Sequence, residues 1–146
     1  MKLKIAYGQF REVVGVLEKL EIKGIPSIHR TRLINLITEK SKTVGEEEVQ
    51  IRKEHCKLDE NGELVVKDNN QLEVLDPEGL RDALTEFYNE KFIVDGGDSQ
   101  VFLKSVKKSL EASEIEWSGR DAYVFAELYE GFEKDSIEES TDGSAE

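Results

Sequence analysis

The stretch SIHRTRLINLITEKSKTVGEEEVQIRKEHCKL, residues 27–58, decides how this chain is read. Ile34, Ile37, Ser41, Val44, Glu48, Ile51, His55 and Leu58 fall on alternating steps of three and four. That is the spacing by which a helix buries one stripe against a partner helix. Ser27 is a natural N-cap and the pattern runs to about Lys57, so one long helix is predicted. Leu33 and Leu36 widen the stripe at its start. Its middle is poor, with Ser41 and Glu48 at seam positions and Gly45 between them. A bend or break near Gly45 is expected, because glycine costs roughly 1 kcal/mol against alanine inside a helix. An intramolecular helical hairpin satisfies the seam; a homo-oligomer through the long helix is the alternative.

Upstream, Phe10, Val13, Val14, Leu17 and Leu20 take helical spacing over residues 9–22, and Gly24 and Pro26 end that helix. Leu3, Ile5 and Tyr7 alternate just before it, as a short strand would. Downstream, the period changes from helical to alternating over residues 59–75. Asp59-Glu60-Asn61-Gly62 and Asp68-Asn69-Asn70 are turns, while Leu64 with Val66 and Leu72 with Val74 alternate, which predicts a β-hairpin. A hairpin alone is marginal, so its apolar face needs a helix or third strand beneath it.

Asp76-Pro77 then starts a helix with the stripe Leu80, Ala83, Leu84, Phe87 and Tyr88. Phe92-Ile93-Val94 is a further strand candidate, and Phe102, Val106 and Leu110 mark the next helix. Ser118 to Asp121 resembles a capping box for a last helix with Tyr123, Ala126 and Leu128 as its stripe. No internal repeat stands out. The class is α+β: mainly helical, four or so helices with one long, a small antiparallel β-hairpin and a disordered acidic C-terminal tail. Residues 1–134 form a single domain, with a helical arm at 1–58 and an acidic body at 59–134. Residues 135–146 carry five acids and no base, and make the tail.

The charge divides along the same line. Residues 1–58 hold 12 Lys+Arg against 8 Asp+Glu, and residues 59–146 hold 8 against 24, a net +4 followed by a net −16. Such a split bears on association more than on fold. A single cysteine, Cys56, forms no internal disulfide and fits a reducing compartment. No run approaches the ~20 apolar residues of a membrane helix, so a cytoplasmic protein with no membrane contact is expected.

Candidate chemical sites dissolve on inspection. Residues 57–68 align with a calcium loop at Asp59, Asn61 and Gly62, but place Lys57 where the first carboxylate must stand. Gly96-Gly97 lies in an acidic turn without the lysine of a phosphate loop. His55 and Cys56 are adjacent and diverge on a helix, and His29 has no acidic or thiol neighbour, so no zinc site or Cys–His pair emerges. No catalytic residue, cofactor or metal is expected. Direct nucleic-acid binding is disfavoured by the −12 net charge and by the absence of aromatics between Phe10 and Phe87. Arg30 and Arg32 are the candidate contact for an acidic protein surface, and Ile34, Ile37, Val44 and Ile51 the candidate seam contacts.

The run from Lys23-Gly24-Ile25-Pro26-Ser27 to Arg32-Leu33-Ile34 follows an amphipathic helix and leads through a Glu-rich helix to the Asp59-Glu60-Asn61-Gly62-Glu63 turn. The chain closes with Ser118-Gly119-Arg120-Asp121-Ala122-Tyr123 and Leu128-Tyr129-Glu130-Gly131-Phe132-Glu133. This order, over about residues 9–134, resembles an uncharacterised family of small proteins from tailed phages and prophages of Gram-positive bacteria, typically encoded among late genes near the tail module. The resemblance implies a phage origin and carries over no functional residue. The expected function is a non-enzymatic phage accessory or virion-assembly protein that contacts a phage or host protein. It would act in the cytoplasm of the infected bacterial host or as part of the virion. The alternative is an acidic inhibitor that blocks a nucleic-acid-binding groove of a host or defence protein.

Overall fold

A computed structural model describes residues 1–133; the acidic tail expected at 135–146 lies outside the described residues. The chain runs β1 (Lys2–Ala6), a 3-10 turn (Tyr7–Gln9), α1 (Phe10–Lys19), α2 (Ile25–His55), α3 (Pro77–Tyr88), β2 (Lys91–Asp95), α4 (Ser99–Glu111), α5 (Gly119–Glu130) and β3 (Phe132–Glu133). The fold is α+β and mainly helical. No helix among the described residues is long and apolar enough to cross a membrane.

The alternation at Leu3 and Ile5 produces the central strand of the molecule. β1 lies between β2 and β3, antiparallel to both, with Leu3 opposite Val94 on one side and Phe132 on the other. The basic arm and the acidic body therefore share one sheet and one core, in which Leu3, Leu17, Leu33 and Leu103 lose all contact with solvent. Ion pairs also join the two halves. Arg120 donates twice to Glu12, Lys19 pairs with Asp121, and Lys2 and Lys4 both face Glu133.

α2 is continuous over 31 residues, so the break expected near Gly45 does not occur. At 1.5 Å per residue it spans roughly 46 Å. It starts two residues before the expected Ser27 cap. Gly24, at φ 69°, takes the N-cap position and Pro26 sits in the first turn, while the Ser27 hydroxyl donates to the Gly24 carbonyl. Its seam packs within the chain, chiefly on α4 and then on α3 and α1. The capping box expected at Ser118 is also absent: Ser118 is the N-cap of α5 but makes no side-chain cap bond. The buried stripe of α5 is Val124 and Leu128, and the expected Tyr123 is 69% exposed. Leu128 lies in the predicted stripe, and Trp117 stacks on Phe125 beside it.

The hairpin expected over residues 59–75 belongs to a larger device. Val66 pairs with Leu72 as predicted, but Leu58 pairs with Leu64 and Cys56 with Val74, all antiparallel. Three residues eight positions apart close a ring: Val65 N–H donates to Lys57 C=O, Glu73 N–H to Val65 C=O, and Lys57 N–H to Glu73 C=O. Each unit is clamped further out by an equivalent bond at 2.8 Å, from Asp59 N–H to Glu63 C=O, Lys67 N–H to Gln71 C=O and Leu75 N–H to His55 C=O. Two of the three corners are the same turn, with Gly62 N–H on Asp59 C=O and Asn70 N–H on Lys67 C=O. Gly62 at φ 78° and Asn70 at φ 64° occupy the left-handed position that such a three-residue loop requires. At the third corner the chain enters from α2 and leaves into α3, and His55 Nδ1 lies 3.2 Å from Asp76 Oδ2. Asp76 also accepts from Gly79 N–H and so caps α3. The result is a β-knob of pseudo-threefold form. A repeat of eight residues, absent from the sequence reading, underlies it.

Candidate functional site

The residues singled out from sequence are mostly occupied by the fold. Ile37 and Val44 are buried in the core, and Ile34 and Ile51 are half-buried and packed against it. These seam positions are covered by the chain itself. Arg30 and Arg32 do not form one patch, since two helical steps turn their side chains about 200° apart. Arg30 Nη1 donates to Leu20 C=O at 2.6 Å and so satisfies the end of α1, while Arg32 is exposed.

The poor middle of the seam has a structural meaning. Ser41, Gly45 and Glu48 line a cleft of about 690 Å³ between α2, the first turns of α1 and the end of α3. Tyr7, Phe10 and Val14 form its opposite wall. Tyr7 packs edge-on to Phe87 at 5.3 Å, and Lys40 Nζ stands 5.6 Å from the Tyr7 ring centre. At one end Glu48 Oε1 accepts from Tyr88 Oη and from Arg52 Nη2, both at 2.7 Å. Burial pushes the Glu48 carboxyl up, but the hydrogen bonds from Arg52 and Tyr88 outweigh it and hold the group below its ordinary value. Burial and the Glu48 carboxylate together push the Tyr88 phenol up. The hydrogen bond to Glu48 also raises Arg52. This triad holds α2 to α3 and leaves Glu48 charged, as a fixed acceptor.

Two further surfaces lie at opposite ends of α2. At its start, Ile22, Lys23, Pro26 and His29 face Val101 and Lys108 of α4 across a groove of about 630 Å³. Ile25 is 66% exposed, Val101 62%, and Ile28 stands out on the same turn. Neither Lys23 nor Lys108 makes an ion pair among the described residues. The groove is apolar, and Lys23, Lys104 and Lys108 line it against one acid, Glu21, which leaves the rim net basic.

At the other end sits the β-knob. Of residues 56–75 only Cys56 is buried, and Leu58, Val66 and Leu75 are exposed. Asp59 is committed to its own turn, accepting from Asn61 and Glu63 N–H, while Glu63 reaches Lys53 and Glu73 reaches Lys57. Glu60 and Asp68 stand exposed at equivalent places in the two turns, each two residues beyond an exposed aliphatic side chain, Leu58 or Val66. The knob is apolar with an acidic rim.

Among the described residues no three His, Cys, Asp or Glu side chains converge as metal ligands. No protein-family model matches the chain, and no curated protein or solved structure matches it either.

Proposed function

We propose that this protein is a non-enzymatic accessory or virion-assembly protein of a tailed phage, acting through protein–protein contacts in the cytoplasm of the infected host. The observation that carries the reading is the pair of exposed apolar surfaces, one basic-rimmed and one acidic-rimmed, held about 46 Å apart by a single rigid helix. Exposed aliphatic side chains ringed by charge mark places where a protein meets a partner. The family resemblance supports the phage setting. Two carboxylates of the acidic body are neutralised by the arm, Asp121 by Lys19 and Glu133 by Lys2 and Lys4, which favours a scaffold over a phosphate mimic.

The test is site-specific photocrosslinking in infected or induced cells, with the crosslinker at Val66 or at Ile25. The expected products join these two positions to structural proteins of the virion or to further copies of the chain. Crosslinks confined to host nucleic-acid-binding proteins would instead establish the inhibitor reading and sink this one.

A further inference from the structure

We propose that the two ends of α2 are the two halves of one contact, and that the knob of one copy docks in the groove of a second copy, head to tail. This rests on the reading of the protein as an assembly component and names its first partner. The complementarity is specific. The knob offers Leu58 and Val66, each with a tip acid, Glu60 or Asp68, two residues on. The groove offers Ile22 and Val101, with Lys23 and Lys108 lining it beside them. Two aliphatic side chains with two carboxylates thus meet two aliphatic side chains with two ammonium groups.

The knob also has the mechanics of a docking element. Its hydrogen-bond ring and clamps fix the backbone at Lys57, Val65 and Glu73, so it presents Leu58 and Val66 in set positions. The α2 seam is unavailable for a coiled coil because α4, α3 and α1 cover it. The two surfaces differ from each other and lie at opposite ends, so the contact is heterologous. Such a contact propagates into a filament or closes into a ring, and does not stop at a dimer unless the rotation closes at two.

The net charge of −12 opposes association at long range. At physiological salt the Debye length of about 8 Å confines that repulsion and leaves contact pairs effective. Sedimentation of the full chain is therefore measured at that ionic strength, from about 10 μM to about 1 mM, the range suited to a small transient interface. The expected result is a mass that rises with concentration beyond the dimer.

The charge reversals E60K/D68K on the knob and K23E/K108E on the groove should each abolish association alone. Mixed in equal amounts they should restore it, because each reversed surface then meets its opposite. E46K/E47K on exposed mid-α2 positions changes net charge as the knob reversal does, and should leave association intact. Circular dichroism confirms that each variant folds, and V66S, which alters no charge, repeats the knob test independently.

A monomer at every concentration, or association untouched by both E60K/D68K and V66S, overturns the inference. So does a mixture that fails to associate while the wild type does. If self-association fails while the photocrosslinks still reach virion proteins, only this inference falls; if both fail, the assembly reading falls with it.

Discussion

The body of the molecule and the β-knob are built on different physics. In the body, Leu3, Leu17, Leu33 and Leu103 are wholly removed from water and the sheet and helices close around them. In the knob only Cys56 is buried, and a ring of three backbone hydrogen bonds with its clamps takes the place of a core. The body is therefore stabilised by area, at about 25 cal/mol per Å² of apolar surface removed from water. The knob is stabilised by conformation, in turns that place the right residues at left-handed φ. The lesson is that 20 residues with almost no interior can hold a shape when a ring of backbone hydrogen bonds and its clamps fix the turns, which leaves their apolar side chains free to face outward.

The contrast is broken most forcefully in the body. Leu103→Ala removes a side chain of α4 with no exposure at all and leaves a cavity in the core. Chemical denaturation should show a loss of about 3 kcal/mol, within the usual span for buried leucines. A loss below about 1 kcal/mol would mean that the core closes over the missing side chain without leaving a cavity.

In the knob the sensitive position is one without a side chain. Gly62→Ala places a Cβ at φ 78° and should cost about 1 kcal/mol or somewhat more, although nothing lies within 4 Å of the added carbon. The equivalent change Asn70→Gly should be neutral within a few tenths, because asparagine already tolerates φ 64°. Amide hydrogen exchange separates the two regions further: Gly62→Ala should speed exchange at Lys57, Val65 and Glu73 while leaving Leu103 and Val106 protected. Uniform acceleration across both would show that knob and body open as one unit.

The body was legible because burial writes a period into sequence. Phe10–Leu20, the α2 seam and Phe102–Val106–Leu110 all repeat at helical spacing, and each marks a real helix. The knob was legible only in part. Its hairpin 66–72 shows as alternation, but the ring needs Lys57 and Glu73, which carry no apolar signal. The trace that was present is the likeness of Asp59-Glu60-Asn61-Gly62-Glu63-Leu64 to Lys67-Asp68-Asn69-Asn70-Gln71-Leu72, too short and too degenerate to stand out as a repeat. Arg30 read as a free basic residue because its two acceptors, the Leu17 and Leu20 carbonyls, belong to another helix and leave no mark on its own. Polar residues in the seam read as weakness, whereas Ser41, Gly45 and Glu48 line a cleft whose other wall comes from the first turns of the chain.

Glu48 tests that last point through pH. Its folded carboxyl lies below the ordinary value, so its contribution is complete above about pH 4.5, the range of an unfolded glutamate, and is lost as pH falls through the folded value. Glu48→Gln should lower stability by about 1 kcal/mol at neutral pH, allowing for partial solvent screening of the Arg52 pair. The gap between wild type and variant should close on acidification. A gap constant down to pH 3 would show that Glu48 acts through packing alone.

One of the smallest effects on folding should accompany one of the largest effects on association. Val66 is 58% exposed on the knob, and Val66→Ser removes little buried area, so the stability should stay within about 0.5 kcal/mol of wild type. If the knob's interior were a miniature core, this aliphatic residue would contribute to it and the loss would approach that of a buried valine. If the knob is a conformationally fixed presenter of side chains, folding is indifferent to Val66 and only docking responds. Thermal unfolding and sedimentation of the same V66S sample separate these. An unchanged midpoint with lost association assigns Val66 to the outside of the molecule, and a lowered midpoint would erase the distinction between knob and body.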